Sequence, residues 1–334
     1  MFGQKSTRQI DLHLPTSWNR CTTEELEAIA AAIIQEQQRV DRYHPFDWQR
    51  VKLNVVLAVN HIEVVSDAAS KLGITGRFMG DEEYLVRRSK NEEPWGITVG
   101  HLLALTEMLA WIDDEKASKV IFQFPYPELT MDVSGKTADH RTVQGPPPLL
   151  DGYTWQEYRW MTDWMQAYMR HSNALLQVKS EELRVKNREA MENARNEFLA
   201  ILFKPAGKPT DVSGKTADHS DGGSKLLTLH SSLFTSFDPV KWQVILFWWS
   251  SLMAQLAKKF PKVFKQQPVG KGKRRQQQQD TPWDFYNRVT ATIQKYIGGL
   301  SEQDVNNATY GTILQQLEMM ADEAAEMEKL KAKK

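Results

Sequence analysis

The sequence contains a single cysteine, Cys21, among its 334 residues. One thiol cannot form an intramolecular disulfide, and it cannot supply a zinc site built from several cysteines. The net charge is zero, so no overall charge attracts the chain to nucleic acid or to an anionic membrane surface. The N-terminus also lacks the apolar stretch of a signal peptide. These absences predict a cytoplasmic protein.

Long hydrophobic runs are also missing. The most apolar stretch covers residues 240–257, and it is interrupted by five polar side chains, namely Lys241, Gln243, Ser250, Ser251 and Gln255. This composition favours a buried core helix over a membrane span. What the chain does have is aromatic residues, including 11 Trp. Because each indole covers a large area at little entropic cost, this density is typical of a deep helical core or a protein interface.

Helix signals dominate the pattern. Thr22 with Glu25, and Thr154 with Glu157, have capping-box spacing. Further helix starts are expected at four places, namely Thr98, Asp238–Pro239, Thr281–Pro282 and Ser301 with Asp304. Pro45 opens an apolar-rich segment over residues 46–69, which we expect to be a long helix ending before Gly73.

One stretch has a different composition. Residues 118–153 are rich in β-branched and aromatic residues and end in the sequence GPPPLLDG, which predicts a small β-hairpin excursion. The predicted fold class is therefore mainly α, with a multi-helix body, this excursion and a C-terminal helical module. We expect the body to cover residues 1–260, a flexible basic and Gln-rich linker residues 261–280, and the module residues 281–334.

The nine-residue sequence DVSGKTADH occurs twice, at residues 132–140 and 211–219. Its Gly-Lys-Thr lacks the upstream glycine of a phosphate-binding loop, because Thr130 and Pro209 occupy the required positions. The Asp-His ends could form a metal set, namely Asp139, His140, Asp218 and His219, but polar loop residues of this kind are more often solvated. We therefore predict no cofactor and no metal. A local duplication and a selected double site remain the two explanations of the repeat.

Catalytic motifs are absent from the sequence. No HExxH, no GxSxG and no GxGxxG following a strand occurs, which is consistent with a protein that is not an enzyme. The basic residues of segment 258–275 have two interpretations. The first is a solvated linker, and the alternative is a contact with nucleic acid. Since only two aromatic residues lie in this segment, a stacking platform for bases is poorly supported and nucleic acid is the less favoured partner.

Three stretches resemble a family of proteins encoded in tail-gene clusters of Bacteroidetes prophages and related elements. They are LPTSWNRCTTEEL at 14–26, FPYPELTMDV with GPPPLLDGYTWQEYRWMTDWM within 124–165, and TPWDFYNRVTATIQKYIG at 281–298. The resemblance covers about half of the chain and includes no catalytic motif. It implies a tail-assembly accessory protein or chaperone.

Together these patterns predict a non-enzymatic, protein-binding assembly factor. The helix that starts near Pro282 has more apolar surface than a short helical hairpin can bury. We therefore expect its aromatic face to bind a protein partner, through Trp283, Tyr286, Val289 and Ile293.

Overall fold

A computed structural model describes residues 11–41, 43–64, 83–114, 119–132, 140–178, 180–205, 231–264 and 282–332. These residues are mostly helical, which confirms the predicted fold class. They form two compact units, the first within Met1–Ile121 and Asp238–Trp249, the second within Phe122–Phe237 and Ser250–Lys334. The C-terminal helices thus belong to the second unit. The predicted division into a body, a linker and a C-terminal module stays a prediction. The predicted linker lies outside the described residues beyond residue 264.

The described residues include nine α-helices. They are α1 (Thr23–Arg39), α2 (Trp48–Val59), α3 (Val99–Met108), α4 (Trp155–Gln177), α5 (Glu181–Leu202), α6 (Pro239–Lys259), α7 (Pro282–Ile297), α8 (Glu302–Asn307) and α9 (Tyr310–Ala332). Six short strands lie between them, namely β1 (Glu63–Val64), β2 (Glu83–Arg87), β3 (Trp95–Thr98), β4 (Glu128–Asp132), β5 (His140–Gln144) and β6 (Lys204–Pro205). They form two antiparallel sheets with the strand orders β1-β2-β3 and β4-β5-β6.

The first unit packs α1 and α2 together and α2 against α3 and the first sheet. Helix α1 begins at the predicted capping box, in which Thr22 accepts the Glu25 N–H and the Glu25 carboxylate accepts the Thr22 N–H. The buried cluster joins α2, the sheet and α3 through Leu53, Ile62, Val86, Ile97 and Leu102. Burying each of these side chains contributes about 1.5–3 kcal/mol.

The prediction of one long helix over residues 46–69 was wrong. Helix α2 covers only Trp48–Val59, because Asn60 ends it and His61 has a left-handed backbone with a φ of 53°. The chain then forms β1, in which Val64 pairs with Val86. A β-branched, apolar segment is compatible with a helix and with a buried strand, so periodicity did not separate the two. The rest of the predicted helix, residues 65–69, lies outside the described residues.

In the second unit the predicted β excursion is confirmed as the hairpin of β4 and β5, with Leu129 opposite Val143. The third strand, β6, was not predicted. Just before it, Phe203 is buried among aromatic rings, with centroid distances of 5.6 Å to Phe124, 5.7 Å to Phe234 and 6.4 Å to Phe237. Such pairs stabilise a core beyond the area that they bury.

The C-terminal helices contact the start of α4 within this unit. The Trp155 N–H donates to the Ala308 oxygen at 2.8 Å, and the Tyr310 N–H donates to the Tyr153 oxygen at 3.0 Å. The ring of Tyr310 stacks on that of Tyr158, with centroids 5.0 Å apart. The beginning of α9 is therefore bound to the second unit by both backbone and side chain.

Helix α6 covers the most apolar stretch of the sequence. Its buried side chains include Val244, Ile245, Trp248, Leu252 and Leu256, as expected of a core helix. Within the described part of the chain, no helix is long and apolar enough to cross a membrane.

Candidate functional site

The four predicted partner-binding residues lie on α7. Val289 and Ile293 are buried, so a partner reaches them only if α7 moves away from its neighbours. Of Trp283 and Tyr286 the structure describes the backbone alone, within the helix. A partner-binding role for these four residues stays a prediction.

Within the described part of the basic segment, Lys262 and Val263 contact acidic residues of α9. The Lys262 ammonium pairs with the Asp322 carboxylate, and the Lys262 and Val263 N–H groups donate to the Glu318 carboxylate at 3.1–3.2 Å. Residues 265–281 lie outside the described residues, as do residues 133–139 and 211–219 of the repeat. Among the residues that are described, no three His, Cys, Asp or Glu side chains are grouped to hold a metal ion.

A second candidate surface is the connection between α1 and α2 together with the first residue of α2, residues 40–41 and 43–48, which we call the aromatic loop. Its Tyr43 side chain is 79% exposed, Val40 is 43% exposed and Trp48 is 37% exposed. Phe46 is half-buried and packs edge-on against Trp48, with ring centroids 5.0 Å apart. Large apolar side chains concentrated in one exposed loop are typical of a protein-binding surface.

The first half of the loop is shaped by Asp41. Its carboxylate accepts the N–H groups of Tyr43 at 2.7 Å and His44 at 2.8 Å, and it also contacts the His44 ring nitrogen at 3.0 Å. The Asp41 N–H donates in turn to the His44 oxygen at 3.1 Å. The hydrogen bond with His44 and the Tyr43 amide hold the pKa of Asp41 below its usual value. The backbone amides of Tyr43 and His44 are therefore both held by the Asp41 carboxylate.

The second half is fixed by the start of α2. Helix α2 begins three residues after Pro45, and Asp47 caps it by accepting the Gln49 N–H at 2.9 Å. The Asp47 N–H donates to the Glu36 carboxylate of α1 at 3.0 Å. The end of the loop is thereby hydrogen-bonded to α1 through the Glu36 side chain.

Glu36 of α1 is a buried carboxylate that contacts the loop. Its side chain is 1% exposed and forms two hydrogen bonds with Arg39, at 2.7 and 3.1 Å, and an ion pair with Arg50 at 3.5 Å. Burial alone would raise the pKa of Glu36, but Arg39, the Asp47 amide and Arg50 outweigh it and hold that pKa below its ordinary value. Arg39 also donates to the Pro45 oxygen of the loop at 3.4 Å. Glu36 is therefore an ionised carboxylate at neutral pH.

The hydrogen bonds made by Asp41, Asp47 and Glu36 lower the entropic cost of binding a partner at the loop. Ordering one rotamer-rich side chain at an interface costs about 0.5–1.5 kcal/mol, in addition to the cost of ordering a loop. Here the backbone amides of Tyr43, His44 and Asp47 are hydrogen-bonded to carboxylates, which reduces the ordering that binding requires. Tyr and Trp are also the residue types most enriched among interface residues that dominate binding energy.

Other exposed apolar side chains are Met108 of α3 in the first unit and, in the second unit, Phe122, Tyr296 and several helical residues. In the far half of the α4–α5 hairpin no described residue between 166 and 193 is buried, and its exposed members are Met169, Leu176, Leu183 and Val185. The end of α9 exposes Met319, Met327 and Leu330. On these two helical surfaces the exposed side chains are Leu, Val and Met, whereas the residues that dominate binding energy at interfaces are more often Tyr and Trp.

Two groups outside the aromatic loop, Cys21 and Asp163, have a raised pKa. Burial and the nearby Glu25 carboxylate raise the pKa of Cys21 to about 12, so its thiol is not an activated nucleophile. Burial also raises the pKa of Asp163, whose Oδ1 atom is buried without a hydrogen-bond partner. A cavity of about 310 Å³ in the second unit is lined by Lys259, Asp151 and Tyr310 among others, and neither Cys21 nor Asp163 lines it.

Comparison of this chain with protein-family models, with curated proteins and with solved structures found no match.

The sequence does contain the signals for the aromatic loop. Asp41, Pro45 and Asp47 have the spacing of a side-chain-capped turn followed by a helix start, and three aromatic residues lie between them or next to them. The prediction of a helix beginning at Phe46 obscured this pattern. The exposure of Tyr43 has no signal of its own, since a buried and an exposed tyrosine look alike in a sequence.

Proposed function

We propose that this protein is a non-enzymatic assembly factor that binds another protein through the aromatic loop. The observation that carries the proposal is the exposure of Tyr43 and Trp48 on a loop whose backbone is fixed by Asp41, Asp47 and Glu36. An apolar surface of this kind is unfavourable in water unless a partner covers it. The hydrogen-bonded backbone lowers the entropic cost of ordering the loop when a partner binds.

The resemblance to proteins of prophage tail-gene clusters suggests the biological setting. We propose that the chain acts in the cytoplasm as a tail-assembly accessory protein or chaperone and that its partner is a tail component. A chaperone of this type shields an apolar surface of a subunit until assembly buries that surface. Aromatic side chains suit the task, because they contribute large contact areas and adapt to different apolar partners.

Site-specific photo-crosslinking tests the proposal. Replacing Tyr43 by the photoreactive benzoylphenylalanine should yield, in cells expressing the tail-gene cluster, one or a few crosslinked tail proteins that mass spectrometry identifies. The matched control places the same residue at Phe122, an exposed aromatic position of the second unit. We expect no equivalent product from position 122. Identical product patterns from the two positions, or no product from position 43, would refute the aromatic loop as the binding surface.

A further inference from the structure

We propose that Glu36 is the positioning residue of the aromatic loop, holding it in the conformation that presents Tyr43 and Trp48. The inference rests on the proposed function, because the conformation of the loop matters here as a binding surface. Glu36 belongs to α1 and is buried, so it cannot itself contact a partner. Its effect on binding must pass through the loop.

The Glu36 carboxylate is hydrogen-bonded to residues on both sides of the loop. One oxygen of Glu36 accepts the Asp47 N–H at 3.0 Å and an Arg39 N–H at 2.7 Å, and the other accepts the Arg39 Nε–H at 3.1 Å. Arg39 lies at the end of α1, and Asp47 caps α2. Glu36 therefore joins the last turn of α1 to Asp47, the N-cap residue of α2, and the loop connects the two.

A second path runs from Glu36 through Arg39 to the loop itself. While Arg39 is held by the carboxylate, it also donates to the Pro45 oxygen at 3.4 Å. Pro45 directly precedes Phe46, which packs against Trp48. Loss of the carboxylate would free Arg39 to turn into solvent, and the position of Pro45 and Phe46 would then no longer be fixed.

The chain offers a matched control on the same helix. Glu25 is also a buried glutamate of α1, and its carboxylate also accepts a backbone N–H, that of Thr22 at 2.7 Å, and pairs with a basic group, His13 at 2.8 Å. It lies at the opposite end of α1 from the loop. Replacing Glu25 should therefore cost stability without disturbing the loop, which separates a structural effect from a positioning effect.

Residue-resolved amide hydrogen exchange of the full chain, measured by NMR, tests the inference without any partner. In Glu36→Ala the amides of Tyr43, His44 and Asp47 should exchange faster, by about tenfold for Asp47, which loses its hydrogen-bond acceptor. In Glu25→Ala they should exchange as in the wild type. If Glu36→Ala does not fold, Glu36→Gln replaces it, because the amide oxygen keeps one acceptor while the charge that holds Arg39 is lost. Unchanged exchange of these amides in a folded Glu36 variant overturns the inference.

Binding provides the second readout. Using the protein crosslinked through position 43 as the probe, Glu36→Ala or Glu36→Gln should weaken its affinity by about tenfold. Glu25→Ala should not. Faster exchange with unchanged affinity would show that Glu36 orders the loop but does not position it for binding, which also overturns the inference. Absence of any crosslinked protein would instead be a failure of the proposed function, and the exchange result would stand separately.

Discussion

Tyr310 gives a direct test of how the C-terminal helices are held. Its ring is buried and stacks on Tyr158, and its hydroxyl donates to the Leu149 oxygen. Burial and the nearby Asp151 raise the pKa of Tyr310 to about 12, so the hydroxyl remains a donor at physiological pH. Removing the ring in Tyr310→Ala creates a cavity and should cost about 3–5 kcal/mol. Tyr310→Phe keeps the ring and loses one hydrogen bond, for a cost of about 0.5–1.5 kcal/mol.

Thermal unfolding followed by circular dichroism measures both changes. For a unit of about 200 residues, 1 kcal/mol shifts Tm by about 2–4 °C, so Tyr310→Ala should lower Tm by about 6–20 °C. The control is Tyr296→Ala, an exposed tyrosine of α7, which should change stability by about 0.5–1 kcal/mol at most. Equal shifts for Tyr310→Ala and Tyr296→Ala would contradict the docking of α9 on α4. If Tyr310→Phe lowers Tm as much as Tyr310→Ala does, the stabilisation by Tyr310 comes from its hydroxyl and not from its ring.

Two further predictions concern a helix cap and pH. Thr154→Ala removes the side chain that accepts the Glu157 N–H at 3.2 Å and should cost about 1 kcal/mol in chemical denaturation, whereas Ser180→Ala, at a start without such a cap bond, should cost almost nothing. Because the pKa of Glu36 is lowered in the folded protein, its stabilisation is complete above its unfolded pKa of about 4.3 and is lost as pH falls through the folded value. Wild type should therefore lose stability below about pH 4.5 more steeply than Glu36→Gln, and parallel pH profiles would contradict this.

The starts of helices were the most predictable part of the fold. The capping boxes at Thr22 and Thr154 and the cap at Thr98 are confirmed, because an N-cap depends on side chains within one turn of the chain. The end of α2 was not predictable in the same way. It depends on the pairing of Val64 with Val86, a contact with a strand more than 20 residues away.

The candidate site could be predicted only in part. The spacing of Asp41, Pro45 and Asp47 is typical of a turn followed by a helix start, and the nearby aromatic residues suggest an interface. The burial of Glu36 and the exposure of Tyr43 are properties of the packed unit, and no pattern within the segment distinguishes them from the reverse arrangement. The burial of Val289 and Ile293 on α7 is likewise a property of the packed unit, and the partner-binding role of that helix stays a prediction.

The most direct test of the central claim is the affinity of the partner identified by crosslinking for the Tyr43→Ala and Trp48→Ala double variant, measured by isothermal titration calorimetry. Truncating two aromatic residues that dominate an interface should cost at least about 2 kcal/mol, or roughly 30-fold in Kd. Phe122→Ala, which removes an exposed ring elsewhere, should leave Kd unchanged. If the double variant binds as tightly as the wild type while the fold is intact, the aromatic loop is not the binding surface.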